Sequence, residues 1–334
     1  MKNIIAKSFT TILIAMVTFL DAQTINRYGT TTANFLEIGI GSRATSMGDA
    51  YVAVANDVSS IYWNPAGLSH VTNSSALFSI QPWLVDIDMM FAGGAFVVPS
   101  VGVIGLGITH LDYGEMDVTN LEYQDGTGER FGASDVAATF TFSRKIVSWF
   151  SFGSSMKYIS SKIWHSSASA FAVDLGVLVN TNFFSFTGKD KDGMNIGMSI
   201  SNYGTRMKYD GIDNYQPIDI SEFEEGNYGD VAGQFRTSEW ELPLIFRIGF
   251  SIKPIVTNLM NLTLSADALH PNNNAESLNI GAALDNKIPG FGVVSLTMGA
   301  KSGMNSITKE DNDIGVTFGA GTKMFYLGLS LIHI

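Results

Sequence analysis

The chain has no cysteine. This excludes disulfide frameworks, thiolate metal sites and cysteine nucleophiles, and also a lipid anchor attached through an N-terminal cysteine. Charge is scarce as well. Asp, Glu, Lys and Arg make up 15% of the residues, against about 25% in an ordinary globular domain. What charge there is leans acidic, with a net of −11. No Lys/Arg stripe occurs that could follow a phosphate backbone, so nucleic acid is not an expected partner. No apolar run reaches the ~20 residues of a membrane-crossing helix.

The N-terminus pairs Lys2 and Lys7 with an apolar stretch over Phe9–Leu20 and a small residue, Ala22. This order predicts a secretory signal peptide over residues 1–22; the alternative is a membrane anchor. From residue 75 onward the chain alternates apolar with small or polar residues. In 194–202, Met194, Ile196, Met198 and Ile200 alternate with Asn195, Gly197, Ser199 and Ser201. In 259–269, Met260, Leu262, Leu264, Ala266 and Ala268 alternate with Asn261, Thr263, Ser265 and Asp267. Successive side chains of a strand point to opposite faces, so each segment has one oily face.

About thirteen strands are expected, near 75–82, 87–98, 101–112, 134–145, 149–161, 168–180, 193–204, 242–253, 259–269, 276–286, 291–301, 312–320 and after 322. Most are longer than the 5–6 residues of an average soluble strand and match the ~9–11 of a tilted membrane-crossing one. A soluble sandwich also alternates, with its oily face inward. Here the other face is Gly, Ser, Thr and Asn with few charges, which suits a crowded polar interior better than a water-facing surface. The expected fold is therefore all-β, a transmembrane antiparallel β-barrel with its oily face toward lipid. A secreted β-sandwich is the weaker alternative. The two longest connections, 113–133 and 205–241, fall on one side, as extracellular loops would. Aromatics gather near strand ends: Trp149, Phe150, Phe183 and Phe184 on one side, Tyr158, Trp164, Tyr203 and Trp240 on the other.

The last six residues, Leu329–Ile334 (LSLIHI), equal the translation of a transposon adapter used in sequencing libraries. On that reading they are adapter-encoded and the natural chain continues by roughly 10–25 residues, at ~9–11 per strand, to an even count of fourteen strands.

Residues 35–70 read differently. Met47, Ala50, Tyr51, Val54 and Ala55 share one helical face, with Asn56-Asp57 and Asn64-Pro65 punctuating the end. A short helical hatch over 23–74, preceding a barrel over 75–328, is the expected organisation. Gly41-Ser42-Arg43-Ala44, Met47-Gly48-Asp49-Ala50 and Tyr62-Trp63-Asn64-Pro65-Ala66-Gly67-Leu68 resemble the N-terminal signature of the PorV/PorQ family, within the broader FadL-like group of outer-membrane proteins. The likeness continues through Leu111–Gly114, Asp125–Glu129, Ile163–His165, Ser199–Gly204 and Ala266–Asn274.

The resemblance implies a fourteen-strand barrel with a hatch inside it, located in the bacterial outer membrane. It implies partners too: outer-membrane lipid, and secretion-system components or secreted cargo proteins of type IX secretion, whose C-terminal signals such relatives bind. The expected function is therefore to bind and shuttle cargo proteins in type IX secretion; the alternative is a transporter of hydrophobic solutes, as more distant FadL-type barrels are. None is an enzyme.

Candidate hatch contacts are Arg43, Gly48, Asp57, Trp63, Asn64, Pro65, Ala66 and Gly67. The Asn64 amide is suited to bonding exposed backbone, and Arg43 and Asp57 to pairing with Asp174, Arg247, Lys253 or Asp267. A candidate partner loop carries Tyr209, Tyr215, Glu222, Phe223, Glu224, Glu225, Tyr228 and Asp230; the alternative is a solvated surface loop. No cofactor or metal site is expected. His70, His110, His165 and His270 make no metal spacing, Asp190–Gly193 lacks the ligands of a calcium loop, and no HExxH or GxSxG occurs. The small polar residues on the strands weigh against a large greasy pocket in the interior.

Overall fold

A computed structural model describes residue 27 and residues 29–85, 87–189, 192–219, 230–303, 314–324 and 327–333. The expected signal peptide lies outside the described residues.

Thirteen strands follow one another in a single antiparallel path: β1 (Ser75–Pro82), β2 (Asp88–Val98), β3 (Gly102–Asp117), β4 (Arg130–Val147), β5 (Phe150–Ile163), β6 (Ser166–Asn180), β7 (Asn195–Gly204), β11 (Ile245–Val256), β12 (Met260–Pro271), β13 (Ser277–Ile288), β14 (Gly292–Gly303), β15 (Ile314–Met324) and β16 (Leu327–His333). Between β7 and β11, β8 (Asp210–Gly211) pairs with β6, and β9 (Tyr215–Asp219) with β10 (Asp230–Gln234) forms a separate hairpin. Among the described residues β1 pairs only with β2 and β16 only with β15, so the ladder does not close on itself. The suspected adapter residues 329–333 lie in β16.

Which way the faces look is unambiguous. Phe140 is 48% exposed, Met156 63% and Phe171 62%, while their strand neighbours Thr141, Ser155 and Asp174 are 0–1% exposed. The same inversion holds on β7, where Met198 and Ile200 are exposed and Ser199 and Ser201 buried, and on β14, where Met298 is exposed and Thr297 buried. A water-soluble fold would lose about 1.5–3 kcal/mol for each large apolar side chain left outside. An apolar belt this extensive requires lipid around it. Trp149, Phe183, Phe184, Tyr203 and Trp240 are exposed at strand ends, where an interfacial ring belongs.

The sheet curls around residues 33–70, which are largely buried. This segment starts beside Glu241, where Thr32 N–H bonds the Glu241 carbonyl at 3.0 Å. It then crosses the interior and ends near Ser143 and Ser151, before β1. Glu241 and the connections 118–129 and 205–244 lie on one side, called here the long-loop side; the connections 99–101, 148–149, 257–259 and 289–291 lie on the other, the short-turn side.

Two expectations need correction. The 113–133 loop is shorter than read, because β3 and β4 continue past a bulge after Asp112. Arg130 there bridges Glu115 at 2.9 Å and Asp117 at 3.1 Å. The single helix over 47–55 does not form. Among the described residues α-helix is confined to Ser42–Ser46 and Ser60–Trp63, with 3-10 turns at Asn34–Glu37 and Pro65–His70 in the same segment. Gly48 and Asp49, with φ of 65° and 60°, end the first turn. Met47, Ala50, Tyr51 and Ala55 are nevertheless buried, but Val54 is only partly so, and Val52 and Ala53 off that face are buried too, so burial here does not follow a helical period.

Candidate functional site

An irregular backbone inside a protein needs partners for its N–H and C=O groups. Here the strand wall supplies them. Asp267 accepts from Val52 N–H at 2.8 Å, and the Ser265 hydroxyl donates to the Ala50 carbonyl at 2.7 Å. Thr317 donates to the Ser46 carbonyl at 3.0 Å, and Ser143 to the Ala66 carbonyl at 3.1 Å. These wall residues are the small polar face of the strands. Their alternation puts either a small polar side chain or bare glycine backbone toward the segment at inward positions.

Asn64 is fully buried at the centre of this web. Its amide donates to the Val52 carbonyl at 2.9 Å, within the segment, and to the Val177 carbonyl of β6 at 3.0 Å. Its side-chain oxygen accepts from Ala66 N–H at 3.1 Å and caps the 3-10 turn Pro65–His70. Pro65 and Ala66 rest on bare strand backbone. A Cβ at Gly153 or Gly176 would collide with Pro65, Ala66 or Asn64 itself. Gly67 packs likewise against the Ala55 carbonyl, and Gly48 against the backbone of Ala300 in β14. Trp63 is buried, donates its indole N–H to the Ile40 carbonyl at 2.8 Å, and meets Tyr62 edge-on at 4.8 Å. The Arg247 guanidinium lies 5.5 Å and 5.7 Å from the Tyr62 and Trp63 rings, a cation–π contact in a dry setting.

Among the described residues, three ion pairs lie inside the sheet. Arg43 forms a two-pronged bridge to Asp285 at 2.9 and 2.8 Å, and Ser295 joins it. Burial disfavours the charged guanidinium, but Asp285 outweighs this and its pKa is raised. Asp49 pairs with Lys301; burial pushes its carboxyl above the usual range, and Lys301 opposes that. Lys157 meets Asp174 at 2.7 Å and Asn202 at 2.8 Å.

Sequence reasoning placed Arg43 and Asp57 against Asp174, Arg247, Lys253 or Asp267. Arg43 instead takes Asp285, and Asp57 serves its own segment, accepting from Tyr51 at 3.0 Å and from Ser59. Asp285, Ser295 and Lys301 were missed. Each stands at an inward position of its strand, and only the fold says which part of the segment lies opposite.

The partner-loop residues do not form one surface that can be described. Tyr209 is partly buried against the core, Tyr215 is exposed at the start of β9, and Asp230 opens β10. Glu222, Phe223, Glu224, Glu225 and Tyr228 lie outside the described residues.

Two cavities flank the crossing segment. On the long-loop side a recess of about 410 Å³ is lined by Phe35, Ile38, Trp83, Leu84, Ile87, Leu111 and Tyr113, with Asp49 and Lys301 also in its lining. The strand residues weighed against a large greasy pocket; this smaller recess draws much of its apolar lining from Trp83, Leu84 and Ile87 and from the segment itself. On the short-turn side a cavity of about 920 Å³ is bordered by Arg43, Asn56, His70, Lys145, Trp149, Asn180 and Lys253.

A model of the type IX secretion system protein PorV matches residues 21–227, more than half of the chain. No curated protein matches in sequence. Among solved structures, the CymD monoaromatic hydrocarbon channel aligns with a TM-score of 0.51 at 9% identity, over 88% of this chain and 92% of that one. The TodX deltaS2S3 mutant monoaromatic hydrocarbon channel gives 0.51 at 11% identity, over 85% and 90%. These likenesses are of fold. With the oily face outward, a polar wall inward and the PorV match along its N-terminal two-thirds, this chain belongs to the PorV family and is a non-enzymatic protein of the bacterial outer membrane.

Proposed function

We propose that this chain admits small hydrophobic solutes from the long-loop side, as a FadL-like channel in which residues 23–74 act as a hatch inside a β-barrel formed by 75–328. Arg43, Gly48, Asp57, Trp63, Asn64, Pro65, Ala66 and Gly67 hold the hatch closed. The observation that carries this reading is the apolar recess of about 410 Å³ that ends on the buried segment. Such a recess takes a compact apolar molecule out of water. That two structures sharing the fold are described as monoaromatic hydrocarbon channels supports the same solute class. The test is a toluene titration of the detergent-solubilised protein, read by tryptophan emission. A saturable change is expected, lost in Trp83→Phe and weakened at least tenfold in Leu84→Asp. An equal response from Leu84→Asp would remove the recess from consideration.

A second reading, cargo binding in type IX secretion, is favoured by the PorV match. In that case secreted proteins sharing a C-terminal domain would co-purify with this chain from cells, and toluene would leave the emission unchanged.

A further inference from the structure

We infer that the recess on the long-loop side takes small aromatic solutes that carry a hydroxyl group, phenols in preference to bare hydrocarbons or carboxylates, with the Asp49–Lys301 pair and Gln81 receiving the hydroxyl. The inference rests on the recess being the solute site proposed above, and it names the class of solute.

Two buried polar atoms set the requirement. Among the described residues, Asp49 Oδ1 and Gln81 Nε2 have no hydrogen-bond partner. Both residues line the recess. Asp49 is 9% exposed. Its other oxygen, Oδ2, pairs with the Lys301 ammonium, and Lys301 lines the recess as well. Gly39, also in the lining, stands beside the unpartnered oxygen: a Cβ there would come within 2.7 Å of Oδ1 and fill the space next to it. Other polar side chains of the lining have partners of their own. Tyr113 donates to Asp135 at 2.7 Å, Glu37 accepts from Asn273 at 3.2 Å, and Thr45 donates to the Gly41 carbonyl at 3.1 Å.

A buried polar group without a partner is costly, so a solute that supplies the partner is favoured. Asp49 Oδ1 needs a donor, and Gln81 Nε2 needs an acceptor. A hydroxyl is both. At the Asp49–Lys301 pair it donates to Oδ1 and accepts from the ammonium, which has three donors to give. A hydrocarbon meets none of these needs. A carboxylate cannot donate, and it faces two carboxylates, Glu37 and Asp49, against the ammonium of Lys301. An organic ammonium offers no acceptor and is repelled by Lys301. The apolar lining sets the rest of the solute. Phe35, Ile38, Trp83, Leu84 and Leu111 suit a ring, and about 410 Å³ limits it to a compact one.

The experiment titrates the full chain in neutral detergent with p-cresol, toluene and p-toluate by isothermal calorimetry, with the heat of partition into empty micelles subtracted. The three differ only in the group opposite the methyl: a hydroxyl, a hydrogen or a carboxylate. p-Cresol should bind at least tenfold more tightly than toluene, because a site with polar groups awaiting a hydroxyl rejects the analogue that lacks it. p-Toluate should bind more weakly than toluene. Two variants test the residues. Gln81→Leu removes a donor that has no partner to lose. Asp49→Asn turns its oxygen to Lys301 and puts an amide donor where Oδ1 stood. In each, the ratio of p-cresol to toluene affinity should fall at least threefold, and taking the ratio cancels any common loss of folded protein. Toluene binding as tightly as p-cresol, p-toluate binding more tightly than p-cresol, or a ratio unchanged in both variants overturns the hydroxyl class and leaves the recess as a solute site. Binding of none of the three overturns the class and the recess together.

Discussion

Asn64 shows how one residue can stand in for a helix. The segment it anchors is a run of short turns whose internal backbone bonds are all local, and Asn64 serves two carbonyls and one amide across the segment and β6. Asn64→Leu keeps the volume and removes all three bonds. Each buried group left without a partner costs about 1–3 kcal/mol. Amide hydrogen exchange over residues 50–66 should therefore quicken at least tenfold, with the strand amides little changed. Unaltered protection of 50–66 would mean that Asn64 merely fills space. His70 supplies a pH test. Its folded pKa of about 4 lies below the ordinary 6.5, so between those values the unfolded chain takes up a proton that the folded chain does not. Stability is then fully present above pH 6.5 and is lost as pH falls toward 4. The thermal midpoint should drop through that window in the native protein and drop less in His70→Gln.

At the level of elements, the strands were legible because period-two alternation depends only on neighbours in sequence. The thirteen expected segments correspond to the thirteen strands of the path. The crossing segment was legible as a buried stretch but not in its shape. Its backbone partners Asp267, Ser265 and Thr317, and the Val177 carbonyl that takes the Asn64 amide, are supplied by distant strands, and no local pattern announces them. The same limit applies to Arg43 and Asp285, which are 242 residues apart. Glycines in the wall mark where the segment touches it. Gly176→Val suits a strand by propensity but drives a side chain into Asn64 and Pro65. The expected result is protease cleavage within 50–70 in a protein whose β-sheet circular dichroism is retained. Resistance equal to that of the native protein would show that the segment does not press on β6.

For the whole molecule, the account depends on an inverted protein: apolar side chains outside, polar ones packed on a segment within. Family membership and outer-membrane location agree with this, and so does the scarcity of charge, since the outward belt needs none. The absence of cysteine makes the claim directly measurable, because single cysteines can be introduced without background. Spin labels at Phe140→Cys, Met156→Cys and Met198→Cys, in protein reconstituted into a bilayer, should collide freely with oxygen dissolved in lipid and rarely with a water-soluble nickel chelate. Labels at Thr141→Cys, Ser155→Cys and Ser199→Cys should be shielded from both. Outward labels that meet the nickel chelate as readily as oxygen would contradict the account.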